Sequence, residues 1–244
     1  MKIKLLETYV ENYGSGENVL FLHGWGSDHN DFAGTVKVFQ KSMRTVNLDL
    51  WGFGKSKNPP SNWGSDNYVE AVYELAQKLK LKNIHLVGHS FGGKLAMKFS
   101  VKYPELCKSL ILVDTAGLQK KLSFFQKNRV KRYKKLKILV QEGKKDSKVL
   151  EKFGSEDYKN SSQNMREIMV RVVNENCEDD FKKVTIPTLI FWGRQDKTTP
   201  LKMGVKLNKL ILDSKFVIFN GGHFCHIENF KQFNQQCLNF WEGV

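Results

Sequence analysis

Several features that would assign the chain to a class are scarce or missing. Only four cysteines occur among 244 residues: Cys107, Cys177, Cys225 and Cys237. None forms a C-x-x-C and the spacings fit no zinc pattern, so neither a structural metal nor a disulfide framework is expected. Reduced thiols in the cytoplasm are the simplest account. Long apolar runs are also lacking; no stretch approaches the roughly 18 residues of a membrane span. Lys2 and Lys4 open the chain, but Glu7 and Glu11 follow too soon for a secretory core. No G-x-G-x-x-G follows an apolar run, so a dinucleotide site is not expected. Gly54-Lys55-Ser56 ends like a phosphate loop, yet Asp49 stands where that motif needs glycine. The expectation is a protein without metal or cofactor. Acidic charge is scarce too: 25 Asp+Glu face 39 Lys+Arg, a formal net charge of +14.

What is present indicates a packed core. Hydrophobic residues make up 41% of the chain and aromatic residues 12%, which favours a globular fold over disorder. Residues 2–10 alternate loosely and read as an edge strand, with a turn at Tyr13 to Gly16. Short apolar runs follow at Asn18–Leu22, Thr45–Leu48, Ile84–Val87, Ser109–Val113, Pro187–Trp192 and Lys215–Phe219. Helical spacing lies between them. Phe32, Val36 and Phe39 share one face, and so do Val69, Val72, Leu75, Ala76 and Leu79, in a helix that Asp66 is placed to cap. A last helix is rich in Phe and Leu. Apolar strands alternating with amphipathic helices predict an α/β fold, a mostly parallel central sheet with helices on both faces. From 118 to 182 no strand run appears and charge is dense, which predicts a helical cap inserted into a core made of 1–117 and 183–244.

Gly88-His89-Ser90-Phe91-Gly92 is a G-x-S-x-G between a predicted strand and a predicted helix, the setting in which a serine becomes a nucleophile. A hydroxyl needs a base, and the base needs an orienting acid. Of the six histidines, His85 lies inside a strand and His23 shapes a loop. His89 sits on the tight turn and should point away from the hydroxyl, while His29 and His226 lack supporting context. His223 follows a strand and two glycines, so it is assigned as the base. Asp196 follows the strand that ends at Trp192, and Asp114 the strand that ends at Val113. The order Ser90, Asp196, His223 favours Asp196, with Asp114 left to hold its own turn. The oxyanion donors are assigned to the backbone N–H groups of Phe91 and Trp25.

With these residues in place the sequence resembles the α/β-hydrolase-fold serine hydrolases. His23-Gly24-Trp25-Gly26, the Asp49-to-Ser56 run, Gly88-to-Gly93, Asp196 and His223 carry the resemblance. The H-G-W-G and G-F-G-x-S also resemble the pimeloyl-carrier-protein methyl ester esterases of biotin synthesis, which typically have Trp where His89 stands and Pro where Trp51 stands. The resemblance implies cleavage of a carboxylic ester through an acyl-enzyme, on a small-molecule or acyl-carrier-linked substrate. A cofactor-free carbon–carbon bond hydrolase and a ligand receptor keeping the fold are the alternatives.

Lys120, Lys121, Lys127, Arg129, Lys131, Arg132, Lys134, Lys135 and Lys137 form a run without an acid. Val130, Tyr133, Leu136 and Val140 give it an apolar stripe, expected to pack on the core. The run is either a solvated cap helix or a docking face for an acidic partner, such as an acyl carrier protein. A membrane-surface helix is a third reading. No nucleic-acid motif accompanies the charge, so no nucleic-acid partner is expected.

Overall fold

The structure, a computed structural model, describes residues 7–119, 124–150 and 152–244. Seven strands pair into one sheet: β1 (Val10–Tyr13), β2 (Asn18–Leu22), β3 (Arg44–Leu48), β4 (Ile84–His89), β5 (Cys107–Val113), β6 (Thr188–Gly193) and β7 (Lys215–Phe219). Their spatial order is β1-β3-β2-β4-β5-β6-β7, with β1 antiparallel to β3 and every other pair parallel. The helices are α1 (Ala33–Phe39), α2 (Ser65–Lys78), α3 (Phe91–Lys102), α4 (Phe124–Gln141), α5 (Glu156–Asn160), α6 (Gln163–Asn174), α7 (Glu178–Phe181), α8 (Leu201–Leu210), α9 (Cys225–Glu228) and α10 (Phe230–Trp241).

Successive side chains of a strand point to opposite faces, and that alternation makes two cores. Leu20, Leu22, Leu86, Leu110, Leu112 and Ile190 meet α2, α3 and α8 on one face. Val19, Phe21, Val87, Ile111, Val113 and Phe191 meet α1 and α10 on the other. Buried on both sides, the central strands read as unbroken apolar runs, as a covered parallel sheet requires.

Some local expectations need correcting. The first strand is Val10–Tyr13, not 2–10; residues 2–6 lie outside the described residues, and 7–9 are not strand. Tyr13 pairs with Thr45, so the turn starts only at Gly14, whose φ of 75° suits glycine. Asp66 lies within α2 rather than at its cap, which is Gly64, and its carboxylate takes Lys98 at 2.9 Å instead. The C-terminal helical region is two helices, broken at Asn229.

Between β5 and β6 the described residues contain helices and no strand. Polar contacts tie this segment to the core. Lys94 of α3, 2% exposed, donates to the Val172 carbonyl at 2.5 Å and to Glu175 at 3.1 Å. Glu175 also accepts the Ser65 N–H and hydroxyl. Arg171 donates to the Ser61 and Trp63 carbonyls at 2.9 and 2.7 Å. The α4 stripe does not reach the core: Val130 is exposed and Tyr133, Leu136 and Val140 are half-buried. Val130 and Tyr133 instead line a cavity of about 450 Å³ with Phe153, Tyr158, Val170 and Val173. Among the described residues no helix is long and apolar enough to cross a membrane.

Candidate active site

Parallel strands in register deliver the loops after them to one edge of the sheet. Leu22 pairs with Gly88, Gly88 with Leu112, and Val113 with Phe191. His23, Ser90, Asp114 and Asp196 lie just beyond these strand ends, and His223 lies beyond β7.

Ser90 has φ 50° and ψ −111°, a backbone conformation that non-glycine residues avoid. Close packing around the turn holds it there. A Cβ on Gly88 would stand 2.5 Å from the Gly92 carbonyl oxygen, and one on Gly92 only 2.0 Å from that of Leu22. The Ser90 N–H donates to the Val113 carbonyl at 2.9 Å, and the Ser90 carbonyl accepts from Ala116 at 3.0 Å.

Three sequence-predicted side chains come together in a line. Ser90 Oγ lies 3.0 Å from His223 Nε2, and His223 Nδ1 lies 2.8 Å from Asp196 Oδ2. Asp196 Oδ1 accepts the N–H groups of Thr198 and Thr199 at 2.7 and 2.9 Å, while Oδ2 accepts the Thr199 hydroxyl at 2.6 Å. Burial pushes the Asp196 carboxyl up, but the bonds from His223 and Thr199 outweigh it and hold the group below its usual range. Asp114 stands apart from this line. It is fully buried and accepts from Gly193 N–H at 2.8 Å and Cys225 N–H at 3.4 Å, so it braces the loops around it. Burial raises its carboxyl to about 7.

Trp25 and Phe91 flank the serine. A Cβ on Gly24 would come within 3.3 Å of Ser90 Cβ. The Trp25 ring meets that of Phe91 at 5.4 Å and that of Phe53 at 4.9 Å. The run from Asp49 to Ser56 wraps its own carboxylate: Asp49 accepts the N–H groups of Lys55 and His29, each at 2.7 Å.

The remaining histidines are engaged elsewhere. His23 Nε2 accepts the Leu50 N–H at 2.8 Å, and burial keeps the ring below its ordinary pKa. His85 bonds Ser109 and His29 bonds Asp49. His89, Asp31 and His226 form a buried group behind Ser90 that sequence reasoning missed. His89 Nδ1 lies 2.8 Å from Asp31 Oδ2, and His226 Nε2 lies 3.5 Å from Asp31 Oδ1. Only the place of His89 beside the serine hinted at it. Among the described residues, three clusters bring candidate cation ligands within 4.8 Å of one another: Asp31, His89 and His226; His89, Asp114 and His223; and Asp28, His29 and Asp49.

The profile of the alpha/beta hydrolase fold family matches residues 17–139 and 132–230. Lipase 3 of Moraxella sp. is 26% identical over 264 residues, covering 97% of this chain and 81% of that protein. A 2-hydroxy-6-oxononadienedioate/2-hydroxy-6-oxononatrienedioate hydrolase of Pseudomonas sp is 26% identical over 259 residues, covering 95% and 90%. Among solved structures, an esterase from Exiguobacterium antarcticum superposes with a TM-score of 0.76 at 23% identity, covering 96% of this chain and 95% of that one. That last likeness speaks to the fold.

Proposed function

The chain belongs to the alpha/beta hydrolase fold family, and from that premise we propose that it is a serine hydrolase cleaving a carboxylic ester through an acyl-enzyme. The observation that carries the reading is the line from Ser90 through His223 to Asp196, at 3.0 and 2.8 Å. Ser90 Oγ attacks the ester carbonyl carbon while His223 Nε2 takes its proton. Asp196 holds the proton on Nδ1, so that Nε2 is free to act as the base. The Trp25 and Phe91 N–H groups receive the oxyanion. Collapse expels the alcohol, which leaves with the proton from His223, and the acyl group stays on Ser90. Water, deprotonated by His223, then releases the acid and restores the serine.

The segment 118–182 acts as a cap over the site in this reading. Two contacts support it: a Cβ on Gly52 would meet the Met165 sulfur at 2.3 Å, and one on Gly26 would lie 3.6 Å from Asp157. The described part of the basic run, α4, carries Lys127, Arg129, Lys131, Arg132, Lys134, Lys135 and Lys137, all exposed and with no acid between them. Lys120 and Lys121 lie outside the described residues. This face is proposed to receive an acidic acyl carrier that brings the ester. Four free cysteines agree with a reducing, cytoplasmic setting.

A series of p-nitrophenyl esters of rising chain length tests the reading. Turnover is expected, with a fluorophosphonate labelling Ser90 alone. Ser90→Ala should lower kcat by at least about 10³-fold in a folded protein. Activity surviving that change, or labelling elsewhere, refutes the serine mechanism. Relatives such as the Pseudomonas enzyme support carbon–carbon bond hydrolysis as the second reading. Turnover of a vinylogous diketone, with every ester inert, would decide for it.

A further inference from the structure

Asp31 sits where three loops of the site meet. Its Oδ2 accepts the N–H of Gly24, the residue before Trp25, at 3.4 Å, and faces Nδ1 of His89, the residue before Ser90, at 2.8 Å. The other nitrogen of His89, Nε2, lies 2.7 Å from the backbone carbonyl oxygen of His223. One carboxylate thus reaches the loop after β2 and the turn after β4 directly, and the loop after β7 through a single imidazole. We infer that Asp31 and His89 are positioning residues, a buried ion pair whose doubly protonated imidazole clamps the His223 backbone and sets its side chain on Ser90. The inference rests on the serine-hydrolase reading of His223.

The partners fix the protonation. A carboxylate and a carbonyl oxygen are both acceptors, and a neutral imidazole carries only one N–H. Donating to both requires the imidazolium. The alternative, a proton on Asp31 donating to a neutral ring, would place it on Oδ2 and make that oxygen a weaker acceptor for the Gly24 N–H. His89 and Asp31 side chains are each 1% exposed, so bulk water does not reach the pair. The local charges agree. Burial alone would push His89 down, but the charge of Asp31 and the bonds to Asp31 and the His223 carbonyl raise it. Burial would raise Asp31, and the cation beside it, with the His226 contact, holds the carboxyl well below its usual range.

The other groups facing His89 come from separate elements. The His223 ring stands 4.9 Å away and the His226 ring 4.8 Å, centroid to centroid. Burial holds His226 below its ordinary pKa, so it is neutral near pH 7. Asp114, at the end of β5, adds negative charge only as pH rises past about 7. Asp31 is therefore the counter-charge that favours protonated His89. The consequence for chemistry is placement. A shift of about 1 Å in a reacting group costs about 10²-fold, and the clamp acts on the backbone of the residue that carries the base.

Two measurements test this. In the ¹⁵N-histidine-labelled wild-type protein, His89 should show two slowly exchanging ring N–H protons and imidazolium shifts from pH 6 to pH 8. Its signals are assigned by their loss in His89→Gln. In steady-state kinetics on a small neutral ester, Asp31→Asn should lower kcat about 10–100-fold with little change in KM. It should also bring the alkaline fall in kcat to lower pH, because the imidazolium has lost its counter-charge. His89→Gln keeps one N–H for the His223 carbonyl and should recover part of the loss seen with His89→Ala. One ring N–H at pH 7 in the wild type overturns the inference, even where the variants fail to fold. So does an unchanged kcat and pH profile in folded Asp31→Asn. Stoichiometric zinc uptake that removes the His89 N–H signals would overturn it in favour of a metal site. Failure of the serine reading shows separately, as absent fluorophosphonate labelling of wild-type Ser90.

Discussion

Replacing Asp196 by Asn tests the assigned acid through its surroundings. The two oxygens of Asp196 are not equivalent. Oδ1 is held by the N–H groups of Thr198 and Thr199, at 2.7 and 2.9 Å, and both can only donate. The amide oxygen of an asparagine must therefore take that place, which turns its NH₂ toward His223 Nδ1 where Oδ2 now stands at 2.8 Å. Thr199 does not prevent this. Its hydroxyl, which now reaches Asp196 Oδ2 at 2.6 Å, also lies 3.0 Å from the Asp114 carbonyl and can donate there while accepting from the amide. Facing an NH₂, Nδ1 must become the acceptor, and the ring proton moves to Nε2. That nitrogen then presents a proton to Ser90 Oγ and cannot take one. The expected loss in kcat is about 10⁴-fold, close to 5 kcal/mol of transition-state stabilisation. Asp114→Asn leaves the tautomer alone and should change kcat less than about tenfold. The assay is p-nitrophenyl ester hydrolysis at pH 7.5, with circular dichroism to show that both variants are folded. A larger loss from Asp114→Asn than from Asp196→Asn would refute the reasoning.

Three further outcomes follow from particular contacts. The Asp114 carboxyl is raised from 3.8 to about 7, so the native state holds a proton there that the unfolded chain releases. Stability from this group is greatest in acid and declines between pH 4 and pH 7, by up to about 4 kcal/mol. Asp114→Asn should therefore gain on wild type in urea melts as pH rises through that window, and parallel pH profiles would contradict the assignment. Removing Lys94 takes the buried donor from the Val172 carbonyl and leaves Glu175 with its Ser65 bonds alone; Lys94→Ala should cost about 3 kcal/mol and lower the melting temperature by about 6–12 °C. Lys94→Met, which refills the space, should cost less, and calorimetry that finds both changes neutral would show that the pair does not anchor α6. Lys131→Glu, Arg132→Glu, Lys134→Glu and Lys135→Glu together should lower kcat/KM for a carrier-linked ester, by an amount that shrinks with salt as screening over about 8 Å takes hold. Turnover of a small neutral ester should stay the same, and equal losses on both substrates would assign the four residues to folding of the segment.

The sequence by itself determined what depends on neighbours along the chain. The apolar runs of β2 to β7 announce a covered sheet because buried strands need apolar side chains on both faces. Gly88 and Gly92 mark the turn at Ser90 because only glycine tolerates such close backbone contact. Ser90, Asp196 and His223 could be proposed together because each follows its own strand, and parallel strands send the loops after them to one edge. Tertiary structure alone decided what depends on distant residues. Asp66 has the right spacing for a cap, yet a lysine from the next helix takes its carboxylate. The stripe on α4 has helical period, but among the described residues it faces a cavity rather than either core. Asp31, His89 and His226 carry no shared pattern. They meet because the 3₁₀ turn at His29–Asp31, the end of β4 and the start of α9 converge beneath the site. Removed from water there, a carboxylate and an imidazole must answer each other's charge, and no local stretch of sequence records that demand.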